Sequence, residues 1–220
     1  SDLQSGDHIF IGSGAAEPQR LVEALVKRAN AVFGTEIVHI MTLGIAPYAE
    51  PKWGDNFRHN ALFIGPNVRD AVAQGRADYT PIFLGEIPRL FETGRVPIDV
   101  ALIQVSPPDR HGYCSYGVST DVVKPATEAS NLVIAEVNEQ MPRTLGESFL
   151  HVDDIDFLVP VDYPILETTV GVADEIARNI GKYIATLIED GSTLQMGIGT
   201  IPDSVLYYLR DKKELGIHTE

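Results

Sequence analysis

The residues of this chain whose types and spacing point to chemistry lie in two glycine-rich turns. Near the N-terminus, Gly6-Asp7-His8-Ile9-Phe10-Ile11-Gly12-Ser13-Gly14 leads into Pro18 and the apolar run Leu21, Val22, Leu25, Val26. Near the C-terminus, Gly191-Ser192-Thr193-Leu194-Gln195-Met196-Gly197-Ile198-Gly199 leads into Pro202, Val205, Leu206 and Leu209. Gly6, Gly12 and Gly14 are each 185 positions from Gly191, Gly197 and Gly199, and Glu36-Ile37-Val38-His39-Ile40 is echoed by Leu215-Gly216-Ile217-His218-Thr219. Between a strand and a helix, glycine lets backbone N–H groups approach a phosphate or a developing oxyanion at the helix N-terminus. It also simply closes a tight turn, and either copy taken alone is open to both readings. Neither completes G-x-G-x-x-G, because Glu17 and Pro202 stand at the third glycine position, which weakens a dinucleotide reading.

Further candidates follow other strands. Thr42-Leu43-Gly44-Ile45-Ala46-Pro47 comes after the strand that is the repeat counterpart of the chain's last one. The N–H groups of Leu43 and Gly44 are candidates for an oxyanion or acyl group, the alternative being an ordinary loop. Gln104, Ser106 and Asp109 lie at a strand's C-terminal end, where open α/β sheets bind ligands, although Ser106-Pro107-Pro108-Asp109 also reads as a rigid turn. Arg58, in a long loop, has the planar fork that pairs with a carboxylate substrate or with a surface acid. The six histidines show no H-x-x-x-H spacing and there is no C-x-x-C, so no metal site is expected. His39 and His218 fall at matched strand positions and are expected to be packed, and Cys114, without a basic partner, reads as structural.

The elements that must position these residues alternate between short β-rich runs and longer helical patterns, the order of an α/β fold with a parallel sheet and helices on both faces. Strands are expected at His8–Gly12, Glu36–Thr42, Ala61–Gly65, Asp99–Val105, Leu132–Val137, Asp156–Val159, Thr193–Gly197 and Leu215–Thr219. Helices are expected at Pro18–Phe33, Val68–Gln74, Ile87–Glu92, Lys124–Ala129, Val172–Ile188 and Pro202–Asp211, with long loops at Gly44–Asn60 and Ser106–Asp121. The repeat makes the fold internally duplicated, with a boundary near Asp190: a first domain over 1–189, and over 190–220 the opening of a second copy that would run on past Glu220. Duplication should give the two glycine turns like surroundings.

Composition bounds the partners. Lys and Arg total 17 against 31 Asp and Glu, a net charge of −14 without a basic cluster, so neither nucleic acid nor an anionic membrane is an expected partner. There is no apolar run of about 18 residues and no N-terminal apolar signal segment. A single cysteine fits a reducing compartment, so a cytoplasmic location is expected. Apolar sheet edges make a homo-oligomer plausible.

Four stretches carry a family resemblance. Gly197-Ile198-Gly199-Thr200-Ile201-Pro202, a helix, and a strand ending in His218-Thr219-Glu220 resemble the start of the catalytic half of the family I coenzyme A transferases, in which such a strand ends on a nucleophilic glutamate. Gln104-Val105-Ser106-Pro107-Pro108-Asp109-Arg110-His111-Gly112-Tyr113-Cys114-Ser115-Tyr116-Gly117-Val118-Ser119 is similar to the V-S-P-P-D-x-x-G-(Y/F)-x-S-x-G-V stretch of the acetyl-CoA hydrolase/transferase branch. Glu136-Val137-Asn138 and Met141-Pro142-Arg143-Thr144-Leu145-Gly146 agree with the same branch, which includes 4-hydroxybutyrate and butyrate transferases.

The resemblance implies a coenzyme A-transferase fold and an acyl-CoA:carboxylate CoA-transferase, with acyl-CoA and a short-chain carboxylate as partners. Coenzyme A would be carried as substrate and covalent thioester on Glu220, without a metal, and Gly197, Ile198 and Gly199 would supply oxyanion contacts; the repeat, for its part, sets Leu43 and Gly44 across the site from Glu220. Residues 1–220 alone would then be poorly active or inactive. The rival readings are acetyl-CoA hydrolysis, a phosphate-holding sugar-phosphate-isomerase-like site, and a non-catalytic CoA-binding module fused to another enzyme domain.

Overall fold

The computed structural model describes residues 3–168 and 173–219, so the expected nucleophile Glu220 and the expected helix start at Val172 lie outside the described residues. The chain divides into two compact units, Ser1–Glu167 and Thr168–Glu220.

The first unit is built on a seven-stranded sheet whose paired strands are all parallel, in the order β4-β3-β2-β1-β5-β7-β9. The strands are β1 (His8–Ile11), β2 (Thr35–His39), β3 (Phe57–Ala61), β4 (Ala77–Tyr79), β5 (Val100–Val105), β7 (Leu132–Asn138) and β9 (Phe157–Val161). A short antiparallel pair, β6 (Tyr113–Ser115) with β8 (Phe149–His151), stands apart from it. Period-two alternation sends Ile9, Ile11, Ile37, Val100 and Leu102 to one face, against Val22 and Leu25 of α1 (Gln19–Lys27). Phe10, Val38, Ala101, Ile103 and Val105 go to the other, against α3 (Ile87–Glu92) and α4 (Val123–Ala129). Strands sandwiched between helices read as continuous apolar runs, as all six buried residues of β5 do. The order reverses between β1 and β5, the switch point at which doubly wound sheets open a crevice.

Several expectations are corrected. The third strand is Phe57–Ala61, not Ala61–Gly65: Phe57, His59 and Ala61 alternate inward, each 3% exposed or less, and the intervening Arg58 and Asn60 made the run look like a loop. The first helix stops at Lys27, with a separate 3-10 turn at Ala29–Ala31. The strands β4, β6 and β8 are too short to carry a pattern. The remaining helix of this unit, α2, spans Arg69–Ala73.

The second unit pairs α5 (Glu175–Leu187) with α6 (Thr200–Tyr208) beside the parallel strands β10 (Thr193–Leu194) and β11 (Gly216–Ile217). Asp174 caps α5 by accepting the Ala177 amide at 2.7 Å. Gly181 allows close helix contact, since a Cβ there would sit 2.8 Å from the Ser204 carbonyl carbon. This packing places α5 in the second unit, although the sequence repeat begins later, at Gly191.

The two glycine segments make matching backbone contacts. Gly6 (φ +86°) donates to the Phe33 carbonyl at 3.0 Å and Gly191 (φ +78°) to that of Lys213 at 2.9 Å. Glu36 donates to Asp7, and Gly216 to Ser192, both at 2.9 Å. This register matches Gly216 with Glu36, so His218 corresponds to Val38 and not to His39, and the expected pairing of the two histidines was one residue out. In a strand a one-residue shift changes the face.

Candidate active site

The two glycine turns share this frame and differ beyond it. The first is covered: Ser13 is buried and its hydroxyl donates to Asp121 at 2.6 Å. A Cβ on Gly14, whose φ is +59°, would meet the Ser119 hydroxyl at 2.6 Å. Gly12 donates its amide to Leu102 and Gly14 to Met41. In the second turn Gly197, Ile198 and Gly199 are all exposed, ahead of the α6 N-terminus, which has no side-chain cap among the described residues. The expected like surroundings are therefore not found. The first turn lies against long strands and the Ser119–Asp121 segment, while the second belongs to a unit with two short strands among the described residues.

Behind the first turn, the switch-point crevice is filled by the protein's own polar groups. Val100 and Leu102 on β5, and Leu132 and Ile134 on β7, point at α1; the same inward rows end in Gln104, Glu136 and Asn138. The Glu136 carboxylate accepts the Leu21 amide at 2.7 Å, at the N-terminus of α1, and the Tyr163 hydroxyl donates to its other oxygen. Gln104 Nε2 donates to the Glu17 carbonyl at 3.0 Å and to Tyr163 Oη at 3.1 Å, and Asn138 Nδ2 donates to Gln104 Oε1 at 2.8 Å. An internal carboxylate thus occupies the place where a phosphate would be held, which counts against a phosphate-holding first turn. Burial pushes the Glu136 carboxyl up, against the Tyr163 hydroxyl that pulls it down. Burial likewise raises Tyr163, with Glu136 adding to it.

Glu17, read from the sequence only as a missing glycine, is fully buried. Its Oε2 accepts the Gly44 amide at 3.0 Å. Burial pushes its carboxyl up to about 7; the Thr42 hydroxyl and the Gly44 and Ile45 amides oppose the rise, and Glu136 adds to it. Farther in, His39 and His59 stack with ring centroids 4.1 Å apart, and His39 Nε2 meets Tyr48 Oη at 2.7 Å. Desolvation holds both imidazoles below their ordinary value, His59 at about 4.

The other expected site residues divide. The Leu43 amide donates to Gly14 at 3.1 Å and that of Gly44 to Glu17, so neither N–H is free as an oxyanion donor. The loop instead offers its side chains, with Leu43 37% and Ile45 45% exposed. Gln104 is buried in the network just described and Ser106 accepts the Ser115 amide at 2.9 Å. Asp109 accepts the His111 and Tyr113 amides and pairs with Arg143 at 2.8 Å, so Ser106–Asp109 forms the rigid turn. Arg58 lies on β3 and grips Asp78 with two 2.6 Å bonds, an ion pair at the exposed start of the strand. Cys114 is buried and its thiol is raised by desolvation. Among the described residues no group of three or more His, Cys, Asp or Glu is placed to hold a metal, and no helix is long and apolar enough to cross a membrane.

Comparison with known proteins agrees with this fold. The Acetyl-CoA hydrolase/transferase N-terminal domain matches residues 1–171. Over 220 residues the chain is 52% identical to a 4-hydroxybutyrate coenzyme A transferase of Clostridium kluyveri, covering 100% of this chain and 51% of that protein. The crystal structure of a 4-hydroxybutyrate CoA-transferase from Porphyromonas gingivalis is 36% identical with a TM-score of 0.83, over 98% of this chain and 50% of that one. RipA from Yersinia pestis is 32% identical with a TM-score of 0.91, over 99% and 53%. The chain thus spans about half the length of these relatives. A fold, a turn motif and a profile that agree over most of the sequence lead to one conclusion: the chain belongs to the acetyl-CoA hydrolase/transferase family.

Proposed function

We propose that the complete protein is an acyl-CoA:carboxylate CoA-transferase working through a glutamyl-CoA thioester at Glu220, in the cytoplasm. The observation that carries this reading is the 52% identity to a 4-hydroxybutyrate coenzyme A transferase along the whole chain, a span that takes in Gly197-Ile198-Gly199 and Thr219-Glu220.

In this reaction the Glu220 carboxylate attacks the acyl-CoA carbonyl, the C–S bond breaks, and CoA thiolate leaves an acyl-glutamyl anhydride. The thiolate then attacks the glutamyl carbonyl and expels the first acid as carboxylate, leaving the glutamyl thioester. An acceptor carboxylate reverses both steps. No net proton transfer is required, and the thioester bond energy is retained throughout. Each attack builds a tetrahedral oxyanion, for which the exposed Gly197-Ile198-Gly199 turn at the α6 N-terminus offers backbone N–H groups. Leu43 and Ile45 expose apolar side chains of the kind that packs against a short acyl chain.

The test is turnover of the complete protein with acetyl-CoA and a short carboxylate, together with hydroxylamine or borohydride trapping and mass analysis of the peptide containing Glu220. The expected result is a trapped adduct on that peptide and loss of turnover in Glu220→Gln. Full rate in Glu220→Gln would overturn the mechanism, and CoA release that ignores the acceptor acid would identify a hydrolase instead.

A further inference from the structure

We infer that Glu17 is a positioning residue for the Thr42–Pro47 loop, its carboxylate holding the loop's backbone in the set that presents Leu43 and Ile45, and its neutral form letting that set relax. The inference rests on the reading that this loop borders the acyl group in CoA transfer.

Contact between acid and loop is direct. Besides the 3.0 Å bond from the Gly44 amide, a Cβ on Gly44 would lie 2.6 Å from Glu17 Oε1 and 2.7 Å from its carboxyl carbon. Only glycine leaves room for the carboxyl, and Gly44 needs no left-handed backbone to do so. From the other side Asn67 Nδ2 donates to Thr42 Oγ1 at 2.8 Å and to the Gly44 carbonyl at 3.2 Å. Loop and acid are therefore clamped as one piece, and Oε1 is buried without a hydrogen-bond partner of good geometry among the described residues.

Proton counting gives the clamp two states. His39 Nδ1 faces the Ile40 carbonyl at 3.3 Å, which can only accept, so Nδ1 carries the hydrogen and Nε2 accepts from the Tyr48 hydroxyl. Tyr48 oxygen is then left as an acceptor. The Thr42 hydroxyl has one proton and neighbours both Tyr48 and Glu17. With Glu17 ionised, that proton can go to the carboxylate, which already accepts the Gly44 amide; with Glu17 protonated it is free to turn to Tyr48. The charged and titratable groups facing Glu17 are Glu136 from β7 and Tyr48 from the 3-10 turn Pro47–Ala49 that follows the loop, with His39 of β2 behind Tyr48. Since the Glu17 carboxyl titrates at about 7, the clamp should tighten as pH rises through neutrality.

The test uses the complete protein as wild type, Glu17→Gln and Gly44→Ala. Hydrogen exchange of the peptide spanning Met41–Tyr48, corrected for intrinsic rate, is followed from pH 6 to 8 alongside kcat/KM for acetyl-CoA. The expected result is wild-type protection and kcat/KM that both rise through about pH 7. Both inflections should be absent in Glu17→Gln, with kcat/KM lowered about tenfold or more, and Gly44→Ala should show the same loss of protection. Glu17→Gln retaining both inflections would overturn the inference. So would loss of protection spread evenly over the sheet, the mark of a merely structural residue. If no CoA transfer is found but protection of this peptide still follows Glu17, the loop-holding role stands and the reaction assigned to the loop falls.

Discussion

Glu136 closes the N-terminus of α1: its carboxylate accepts the Leu21 amide at 2.7 Å while the Tyr163 hydroxyl holds its other oxygen. Glu136→Ala should therefore destabilise the first unit by about 2–4 kcal/mol, because it orphans buried donors at a helix end. Glu136→Gln, which keeps an acceptor, should lose less. Urea denaturation followed at Trp53 measures both, and an Ala variant as stable as wild type would show that the contact is dispensable.

Stability should fall as pH rises through neutrality, by virtue of Glu17. Its folded carboxyl titrates at about 7 against an ordinary 4.5. Between those values only the folded state holds the proton, so the stabilisation is complete below 4.5 and lost as pH rises through 7. The loss is on the order of 3 kcal/mol. Desolvated His59, at about 4 against an ordinary 6.5, acts with the opposite sign, giving stability that is complete above 6.5 and lost as pH falls through 4. Glu17→Gln should raise Tm at pH 8, leave it nearly unchanged at pH 5, and keep the acid limb. An equal Tm shift at both pH values would contradict this. More stability with a looser loop is the trade expected of a buried functional acid.

Gly181→Ala should loosen the second unit. The added methyl would stand 2.8 Å from the Ser204 carbonyl carbon, a backbone atom that cannot swing aside. Overpacking of about 1–3 kcal/mol outweighs the roughly 1 kcal/mol gained in helix propensity. Exchange rates of peptides from α5 and α6 should rise, and slower exchange would refute the clash.

Arg58→Lys should leave turnover unchanged and alter stability by less than about 1 kcal/mol, since Arg58 and Asp78 form an exposed pair. A rise in KM for the carboxylate acceptor would restore Arg58 to the site.

Much of the scaffold was legible because the central strands are short, nearly continuous apolar runs and α1 carries a clear apolar stripe. Phe57–Ala61 was misread because its outward residues are Arg58 and Asn60, whose polarity hid the inward Phe57, His59 and Ala61. The buried site did leave a signal: Gln104, Glu136 and Asn138 interrupt inward apolar rows, and Glu17 replaces a glycine at a strand-to-helix turn. A polar residue on an inward position must find a partner. What the pattern could not show is the identity of that partner. Tyr163 returns to Glu136 from 27 residues away, and Gly44 reaches Glu17 across the same interval of sequence, through tertiary packing alone.

A sheet whose crevice is already neutralised by its own side chains has nothing to gain there from a cofactor. The first unit should therefore reach its native state, and hold it, independently of occupancy. A ligand that raises the melting temperature of the complete protein would then be reporting a binding event elsewhere than at the α1 terminus.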